Sequence, residues 1–110
     1  DFGAKIKVVD WMKVQNYLSD AANVINTTSL GMVGKADLPI SLDKLRKNTL
    51  VTDIVYTPLK TPLLAYASKN GCRIVDGLGM LIYQAIPGFE RWFGVKPTDS
   101  PDLRELLLRE

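Results

Sequence analysis

Apolar and polar residues alternate along the chain in blocks that predict strands and helices in turn. Blocks rich in β-branched residues predict strands at residues 5–9, 22–26 and 50–56, and a fourth strand at 72–75. The centre of the second strand, Val24-Ile25, is apolar at consecutive positions, which favours a parallel sheet covered on both faces. Strands that alternate with helices favour an α/β fold with right-handed crossovers.

Capping residues and breakers mark where the predicted helices begin and end. Thr61-Pro62 opens one helix, and Asn70-Gly71 ends it. A longer helix over residues 78–93 has apolar residues spaced by three and four, and Pro87 inside it is expected to bend or split it. Ser100-Pro101 begins the last helix. Shorter helical turns are predicted after two more capping residues, Asp10 and Ser41.

Length and composition indicate one soluble globular domain. The chain has 110 residues, of which 46% are hydrophobic and 24% charged. We expect residues 1–94 to form this domain, and residues 95–110 to be a linker and a terminal helix that packs on something other than this sheet. The first residue is Asp1 rather than Met, directly before a predicted strand, so we expect the chain to be a piece of a longer protein.

The charged residues and the single cysteine exclude several classes of function. Fourteen Lys and Arg against twelve Asp and Glu give a net charge of +2, with one basic cluster at residues 44–47, which argues against nucleic acid. No apolar run is long enough to span a bilayer. Cys72 begins an apolar run and is expected to be a buried thiol in a reducing, cytoplasmic setting. With no His and one Cys, no metal site is expected.

Two similar stretches carry the candidate chemistry. The segment 26–32 follows the apolar pair Val24-Ile25, and the segment 76–80 follows Ile74-Val75. Each predicts a strand that runs into a turn of small and polar residues, and such turns meet at the carboxyl edge of a parallel sheet, where ligands bind. A complete Gly-x-Gly-x-x-Gly phosphate cradle does not occur in the sequence, because Gly77-Leu78-Gly79 is only part of that pattern.

Three motifs in order give the chain a family resemblance. They are Asn26-Thr27-Thr28-Ser29-Leu30-Gly31-Met32, then Asp53-Ile54-Val55-Tyr56-Thr57-Pro58 followed by Thr61-Pro62-Leu63-Leu64, then Asp76-Gly77-Leu78-Gly79-Met80-Leu81 with Gln84, Phe89 and Trp92. On these motifs the chain resembles the shikimate dehydrogenase family over nearly its whole length. The resemblance implies the carboxyl-terminal part of an NADP-binding domain, hence a Rossmann-like half-domain with a parallel sheet.

The resemblance also implies an activity. The family reduces 3-dehydroshikimate to shikimate with NADPH, reversibly, in aromatic amino acid biosynthesis. Its catalytic Lys and Asp belong to a substrate domain that this chain lacks, so the resemblance assigns no catalytic residue here and implies that the chain alone is inactive. The linker and terminal helix would then pack on that substrate domain.

Residue by residue, the resemblance assigns two substrate contacts and five cofactor contacts. Tyr56 and Gln84 would bind the substrate. Ile54 and Gly77 would bind the cofactor, and Thr27, Thr28 and Met80 are looser assignments beside the nicotinamide. Pro87-Gly88 departs from the family pattern one turn after Gln84, so the placement of the Gln84 amide stays open.

Simpler structural roles and other functions stay open beside these assignments. Met32, Met80 and Trp92 are expected to fill the core, whereas Asp53 and Asp76 are expected to have local structural roles. The threonines 27 and 28 could satisfy the backbone of a turn. The alternative functions are a quinate/shikimate dehydrogenase with NAD preference and a non-catalytic binding or scaffold fragment. The oligomeric state stays open, a homodimer included.

Overall fold

A computed structural model of the chain describes residues 3–98 and 100–109. A parallel three-stranded sheet has the order β1-β2-β3; one α-helix connects β2 to β3, two follow β3, and the segment between β1 and β2 contains no helix. The strands are β1 (Asn23–Asn26), β2 (Leu50–Asp53) and β3 (Arg73–Val75). The helices are α1 (Pro62–Lys69), α2 (Gly77–Phe93) and α3 (Pro101–Leu107), and short 3₁₀ helices span Gly3–Lys5 and Trp11–Asn16. The predicted parallel α/β fold is therefore confirmed.

The core lies on one face of the sheet. Val51 at the centre of β2 is fully buried against α1, together with Leu63, Leu64 and Ala67. The neighbouring row points to the opposite face, and there Ile25 is 59% exposed and Val75 is 47% exposed. The expected covering on both faces is thus wrong for the residues that the structure describes.

The first predicted strand is also wrong. Residues 5–9 leave a 3₁₀ helix and continue without strand pairing, and Val8 is 93% exposed. Alternating β-branched residues favour an extended backbone, but a strand forms only where a neighbouring strand supplies hydrogen bonds. Among the described residues, the three strands of the sheet pair only with one another.

The strand β2 ends three residues before the predicted end at 56. The side chain of Asp53 causes this, because its Oδ1 accepts a hydrogen bond of 3.0 Å from the Val55 N–H and turns the chain. The helix α1 follows the prediction: Thr61 Oγ1 accepts from the Leu64 N–H at 3.3 Å. Asn70 caps its end, and Gly71 continues at φ +80°.

The helix α2 is continuous through Pro87, so of the two predicted effects, a bend or a split, the split does not occur. Asp76 begins the helix, since its Oδ1 accepts from the Leu78 N–H at 3.1 Å, and Gly94 ends it at φ +70°. The rings of Phe89 and Phe93, one turn apart after the proline, lie 4.5 Å from each other between centroids. This contact supports the final turns of the helix.

The remaining capping predictions have mixed outcomes. Asp10 caps the second 3₁₀ helix by accepting from the Met12 N–H at 2.9 Å, as predicted. Ser100 caps α3 by accepting from the Leu103 N–H at 3.3 Å, also as predicted. The segment after Ser41 forms only a turn.

Within residues 3–98 and 100–109, no helix combines the length and apolar character that crossing a bilayer requires.

Candidate functional site

A cleft of about 270 Å³ lies at the carboxyl edge of the sheet, between the segments that follow β1 and β2. Neutral side chains line it, hydroxyl groups beside apolar surface. The lining residues are Thr27, Thr28, Ser29, Met32, Ile54, Val55, Tyr56 and Thr57. The position agrees with the general rule for open α/β sheets, whose ligands bind outside the carboxyl ends of the strands.

The wall after β1 is folded around the side chain of Asn26. Its Oδ1 accepts two hydrogen bonds from Thr28, from the backbone N–H at 3.1 Å and from the hydroxyl at 2.7 Å. Thr28 Oγ1 in turn accepts from the Leu30 N–H at 3.1 Å. Gly31 follows, buried at φ +87° beside Thr61 and Pro62. Asparagine side chains stabilise turns in this way, which explains the tight loop.

The wall after β2 begins at Asp53, which is fully buried. Its carboxylate accepts from Asn26 Nδ2 at 3.1 Å, from the Val55 N–H at 3.0 Å and from the Thr61 hydroxyl at 2.7 Å. The expected local structural role of Asp53 is confirmed by these bonds. Beyond it Tyr56 lies at the cleft with 46% of its surface exposed.

The segment 76–80 approaches from the other neighbour of β2. Gly77 is buried against the residues that follow β2, and a Cβ on it would overlap the carbonyl groups of Ile54 and Val55. Glycine is therefore required there for packing. Because β2 lies between β1 and β3, the two sequence stretches flank residues 54–55 instead of facing each other across an open space.

Met80 and Gln84 are not among the residues that line the cleft. They follow Gly77 by three and seven positions along α2, so the three residues share one face of the helix. Both side chains are exposed. The helix thus presents Gln84 two turns beyond the point where Gly77 meets the wall of the cleft.

Four of the seven assigned residues line the cleft: Thr27, Thr28, Ile54 and Tyr56. Four further lining residues were not assigned as ligand contacts: Ser29, Met32, Val55 and Thr57. All four belong to the quoted motifs, so continuity with Thr28 and Ile54 is the signal that could have found them. The expected core role of three residues is wrong, since Met32 is 36%, Met80 46% and Trp92 80% exposed.

The hydroxyl groups of the cleft differ in what they can offer a ligand. The Thr28 hydroxyl donates its proton to Asn26 and accepts from Leu30, so the loop itself uses it. The hydroxyls of Thr27, Ser29 and Tyr56 form no hydrogen bond within residues 3–98 and 100–109. These three groups, and the Thr57 hydroxyl, which also forms no hydrogen bond within the described residues, are free to donate to or accept from a bound molecule.

The size and the lining of the cleft limit what it can hold. Its volume lies below the roughly 300–1,000 Å³ of sites that bury a whole drug-sized molecule, so it can enclose only part of a ligand of that size or larger. Ile54 and Met32 supply apolar surface, and the Thr27 hydroxyl can donate or accept a hydrogen bond. For metals, the described part of the chain contains no group of three or more His, Cys, Asp or Glu that could hold an ion.

Cys72 lies outside the cleft and is partly buried beside the core. Burial raises the pKa of its thiol, and its Sγ donates to the Arg46 carbonyl at 3.3 Å. A raised pKa keeps the thiol protonated at neutral pH, which makes it a weak nucleophile. This agrees with the expectation of a structural thiol, although burial is less complete than expected.

Comparison with curated proteins identifies relatives of this chain. The chain is 59% identical over 108 residues to a protein named shikimate dehydrogenase (NADP(+)) from Cereibacter sphaeroides, and the match covers 98% of this chain. Over nearly its whole length, this chain therefore matches part of a shikimate dehydrogenase. It spans 39% of the length of that relative. The family model described as the shikimate 5'-dehydrogenase C-terminal domain matches residues 77–100, from the start of α2 to the cap of α3.

Solved structures of shikimate dehydrogenase family enzymes and related dehydrogenases have the same fold. Quinate dehydrogenase from Corynebacterium glutamicum, in complex with NAD, matches with a TM-score of 0.82 at 33% identity, over 93% of this chain and 36% of that one. Shikimate 5-dehydrogenase from Thermus thermophilus, in complex with NADP(H) and shikimate, matches with a TM-score of 0.75 at 26% identity, over 96% and 38%. The Rossmann-like architecture is therefore confirmed.

Proposed function

We propose that this chain forms the nicotinamide side of the active site in an NADP-dependent shikimate dehydrogenase. The reaction is the reversible reduction of 3-dehydroshikimate to shikimate, in aromatic amino acid biosynthesis. The observation that carries the proposal is the cleft at the carboxyl edge of β1 and β2, with free hydroxyls beside apolar surface. Identity of 59% to a protein named for this activity supports it.

The cofactor roles fall on the walls of the cleft. We propose that Ile54 packs on the nicotinamide ring and that Thr27 binds its carboxamide, with Thr28 holding the loop. Gly77 lets the start of α2 approach residues 54–55 closely, and Met80 extends the apolar surface from there. When bound, NADPH supplies the hydride that the substrate carbonyl carbon receives.

The substrate roles fall on Tyr56 and Gln84. The phenol of Tyr56 and the amide of Gln84 can both donate and accept, as binding a polyol requires. The proton for the carbonyl oxygen would come from a Lys and Asp pair of a substrate domain outside this chain. In this arrangement residues 1–94 belong to the NADP-binding domain, and residues 95–110 form a linker and a helix that contacts the substrate domain.

A related activity has a specific observation in its favour. The quinate dehydrogenase in complex with NAD matches this chain with a TM-score of 0.82. Quinate, like shikimate, is a ring carboxylate with hydroxyl groups, and the described cleft is lined by neutral groups that suit either substrate. The second candidate is therefore a quinate/shikimate dehydrogenase with NAD preference.

One assay separates the two candidates. The enzyme that contains this chain is supplied with shikimate or quinate, each with NADP⁺ or NAD⁺, and formation of the reduced cofactor is followed by its absorbance. We expect the highest kcat/KM for shikimate with NADP⁺. A highest value for quinate with NAD⁺ would select the second candidate, and no turnover in any combination would favour a non-catalytic scaffold.

The setting of the enzyme follows from the same proposal. We propose a cytoplasmic enzyme that takes small-molecule substrates and binds neither nucleic acid nor membranes, with a homodimer as its simplest assembly.

Gln84 provides a direct test of the substrate site. Replacing Gln84→Ala is expected to raise the KM for shikimate, and an unchanged KM would remove Gln84 from the site.

A further inference from the structure

A buried row of polar side chains runs behind the cleft. It joins Thr61 at the cap of α1, Asp53 at the end of β2 and Asn26 at the end of β1. Thr61 and Asp53 are 0% exposed and Asn26 is 5% exposed. None of the three lines the cleft, so they reach a bound ligand only through the loops that they hold.

Asp53 is the centre of this row because both of its carboxylate oxygens are occupied. Oδ1 accepts from Asn26 Nδ2 and from the Val55 N–H, and Oδ2 accepts from the Thr61 hydroxyl. The ion pairs within the described part of the chain use Asp76 and Glu105 instead. A buried carboxylate held only by neutral donors depends strongly on the geometry of each hydrogen bond.

Asn26 connects Asp53 to the opposite wall of the cleft, the loop after β1. Its Nδ2 donates to Asp53 Oδ1 and to the Leu30 carbonyl, both at 3.1 Å, while its Oδ1 accepts from Thr28. An aspartate at this position could accept but could not donate, and it would place a second carboxylate against the first. The amide is therefore the group that this junction requires.

We propose that Asp53 is a positioning residue for cofactor binding, a role that rests on the proposed function. Through Asn26 it holds the loop that carries Thr27, and through the Val55 N–H it holds the loop that carries Tyr56. Both walls of the cleft are thus attached to one carboxylate. The anchor fixes their separation, and hence the geometry in which a nicotinamide ring is bound.

Introducing a second carboxylate beside Asp53 tests the proposal in the enzyme that contains this chain. Asn26→Asp sets two carboxylates against each other and removes the bridging donor, so we expect the KM for NADP⁺ to rise about tenfold or more. In the double variant Asn26→Asp with Asp53→Asn, the new amide nitrogen at position 53 can donate to the carboxylate at position 26, but that nitrogen cannot accept from the Val55 N–H. Because the repulsion between two carboxylates is removed while the Val55 contact is lost, we expect partial recovery, with a KM between those of Asn26→Asp and the original enzyme.

A matched control separates positioning from stability. Thr49 is also a buried threonine next to β2, at its opposite end, and its hydroxyl donates to the Ala21 carbonyl at 3.4 Å. Thr49→Val and Thr61→Val each remove one buried hydroxyl. We expect both to lower the melting temperature, but only Thr61→Val to raise the KM for NADP⁺. If Asn26→Asp does not fold, this pair decides the question.

The outcomes distinguish the two proposals. A merely structural role would lower kcat through loss of active enzyme and leave the KM for NADP⁺ unchanged, and that result for Asn26→Asp or Thr61→Val would overturn the positioning role. A double variant no better than Asn26→Asp alone would overturn it as well. If the unmodified enzyme shows no NADP⁺-dependent turnover, the proposed function itself fails.

Discussion

At Gly77 a close backbone contact leaves no room for any side chain larger than hydrogen. A Cβ there would overlap the carbonyl groups of Ile54 and Val55, whereas a Cβ on Gly79 would meet nothing within 4 Å. The two glycines of the same motif therefore differ in physical role. Only one of them determines how closely α2 approaches the wall of the cleft.

The variant Gly77→Ala should move the start of α2 and narrow or tilt the adjoining wall. We expect a loss of about 1–3 kcal/mol in the free energy of unfolding, as for overpacking in other cores, and a raised KM for NADP⁺. Thermal unfolding and steady-state kinetics measure the two effects. Gly79→Ala is the control: it should leave the KM within error and, because alanine favours the helix, should leave the stability unchanged or raise it by up to about 1 kcal/mol. Equal losses in the two variants would contradict the packing argument.

The phenol hydroxyl of Tyr56 forms no hydrogen bond with any group within the described residues. Tyr56→Phe should leave the melting temperature unchanged and raise the KM for shikimate by up to about tenfold, the value of one hydrogen bond. Tyr66→Phe is a suitable control, because its hydroxyl donates to Asp43 at 3.4 Å, outside the cleft. An unchanged KM in Tyr56→Phe would remove the phenol from substrate binding.

Tyr66 gives a prediction for alkaline pH. Burial, and then the negative charge of Asp43, raise the pKa of Tyr66 above its usual 10.0. A raised folded pKa contributes stability that is present below pH 10.0 and is lost as the pH rises through the folded value. We expect Tyr66→Phe to remove a step of the tyrosine absorbance titration that lies above pH 10.0. A titration curve that keeps this step would contradict the assignment.

At the scale of elements, Asp76 joins β3, α2 and α3. Its Oδ1 caps α2 by accepting from the Leu78 N–H at 3.1 Å, and its Oδ2 pairs with the Arg104 guanidinium at 2.5 Å. The structural role expected for Asp76 is confirmed by these contacts. The ion pair ties the terminal helix to the beginning of the helix that carries Gln84.

Two substitutions separate the cap from the ion pair. Asp76→Asn keeps an acceptor for the cap and removes the charge, so we expect a loss below about 1 kcal/mol, since the Arg104 side chain is 39% exposed. Asp76→Ala removes both contacts and should cost about 1 kcal/mol more. Chemical denaturation measures the difference, and equal losses would show that the cap contributes nothing.

At the scale of the whole molecule, the described fold is extended. Its radius of gyration is 16.5 Å, against about 13 Å for a compact domain of this length. The sheet face that carries Ile25 and Val75 is open, and Trp92 and Phe93 on α2 are 80% and 65% exposed. Parallel sheets are normally covered on both faces, so this surface requires partners for stability.

The isolated 110-residue chain should therefore be inactive and should associate through its open face. We expect no shikimate-dependent formation of NADPH, and a sedimentation coefficient that increases with concentration. The enzyme that contains the chain is the positive control. Turnover by the isolated chain comparable with that control would contradict the proposed division of the active site.

The sequence alone determined several helix starts and the edge of the sheet at which the cleft lies. Thr61-Pro62, Asp76 and Ser100 marked helix starts that the structure confirms, because capping depends on hydrogen bonds within one turn. The motifs also indicated Thr27, Ile54 and Tyr56 as neighbours in one cleft. Parallel strands bring their carboxyl ends to a common edge, so this arrangement follows from strand order along the chain.

Only the tertiary structure decided which segments pair and which side chains form hydrogen bonds within the protein. Propensity placed a strand over residues 5–9, but pairing partners lie far along the chain and no local pattern encodes them. The same limit applies to Asp53, whose partners Asn26 and Thr61 stand 27 and 8 positions away. Burial, packing and long-range hydrogen bonds depend on where distant segments meet, which periodicity and capping residues do not specify.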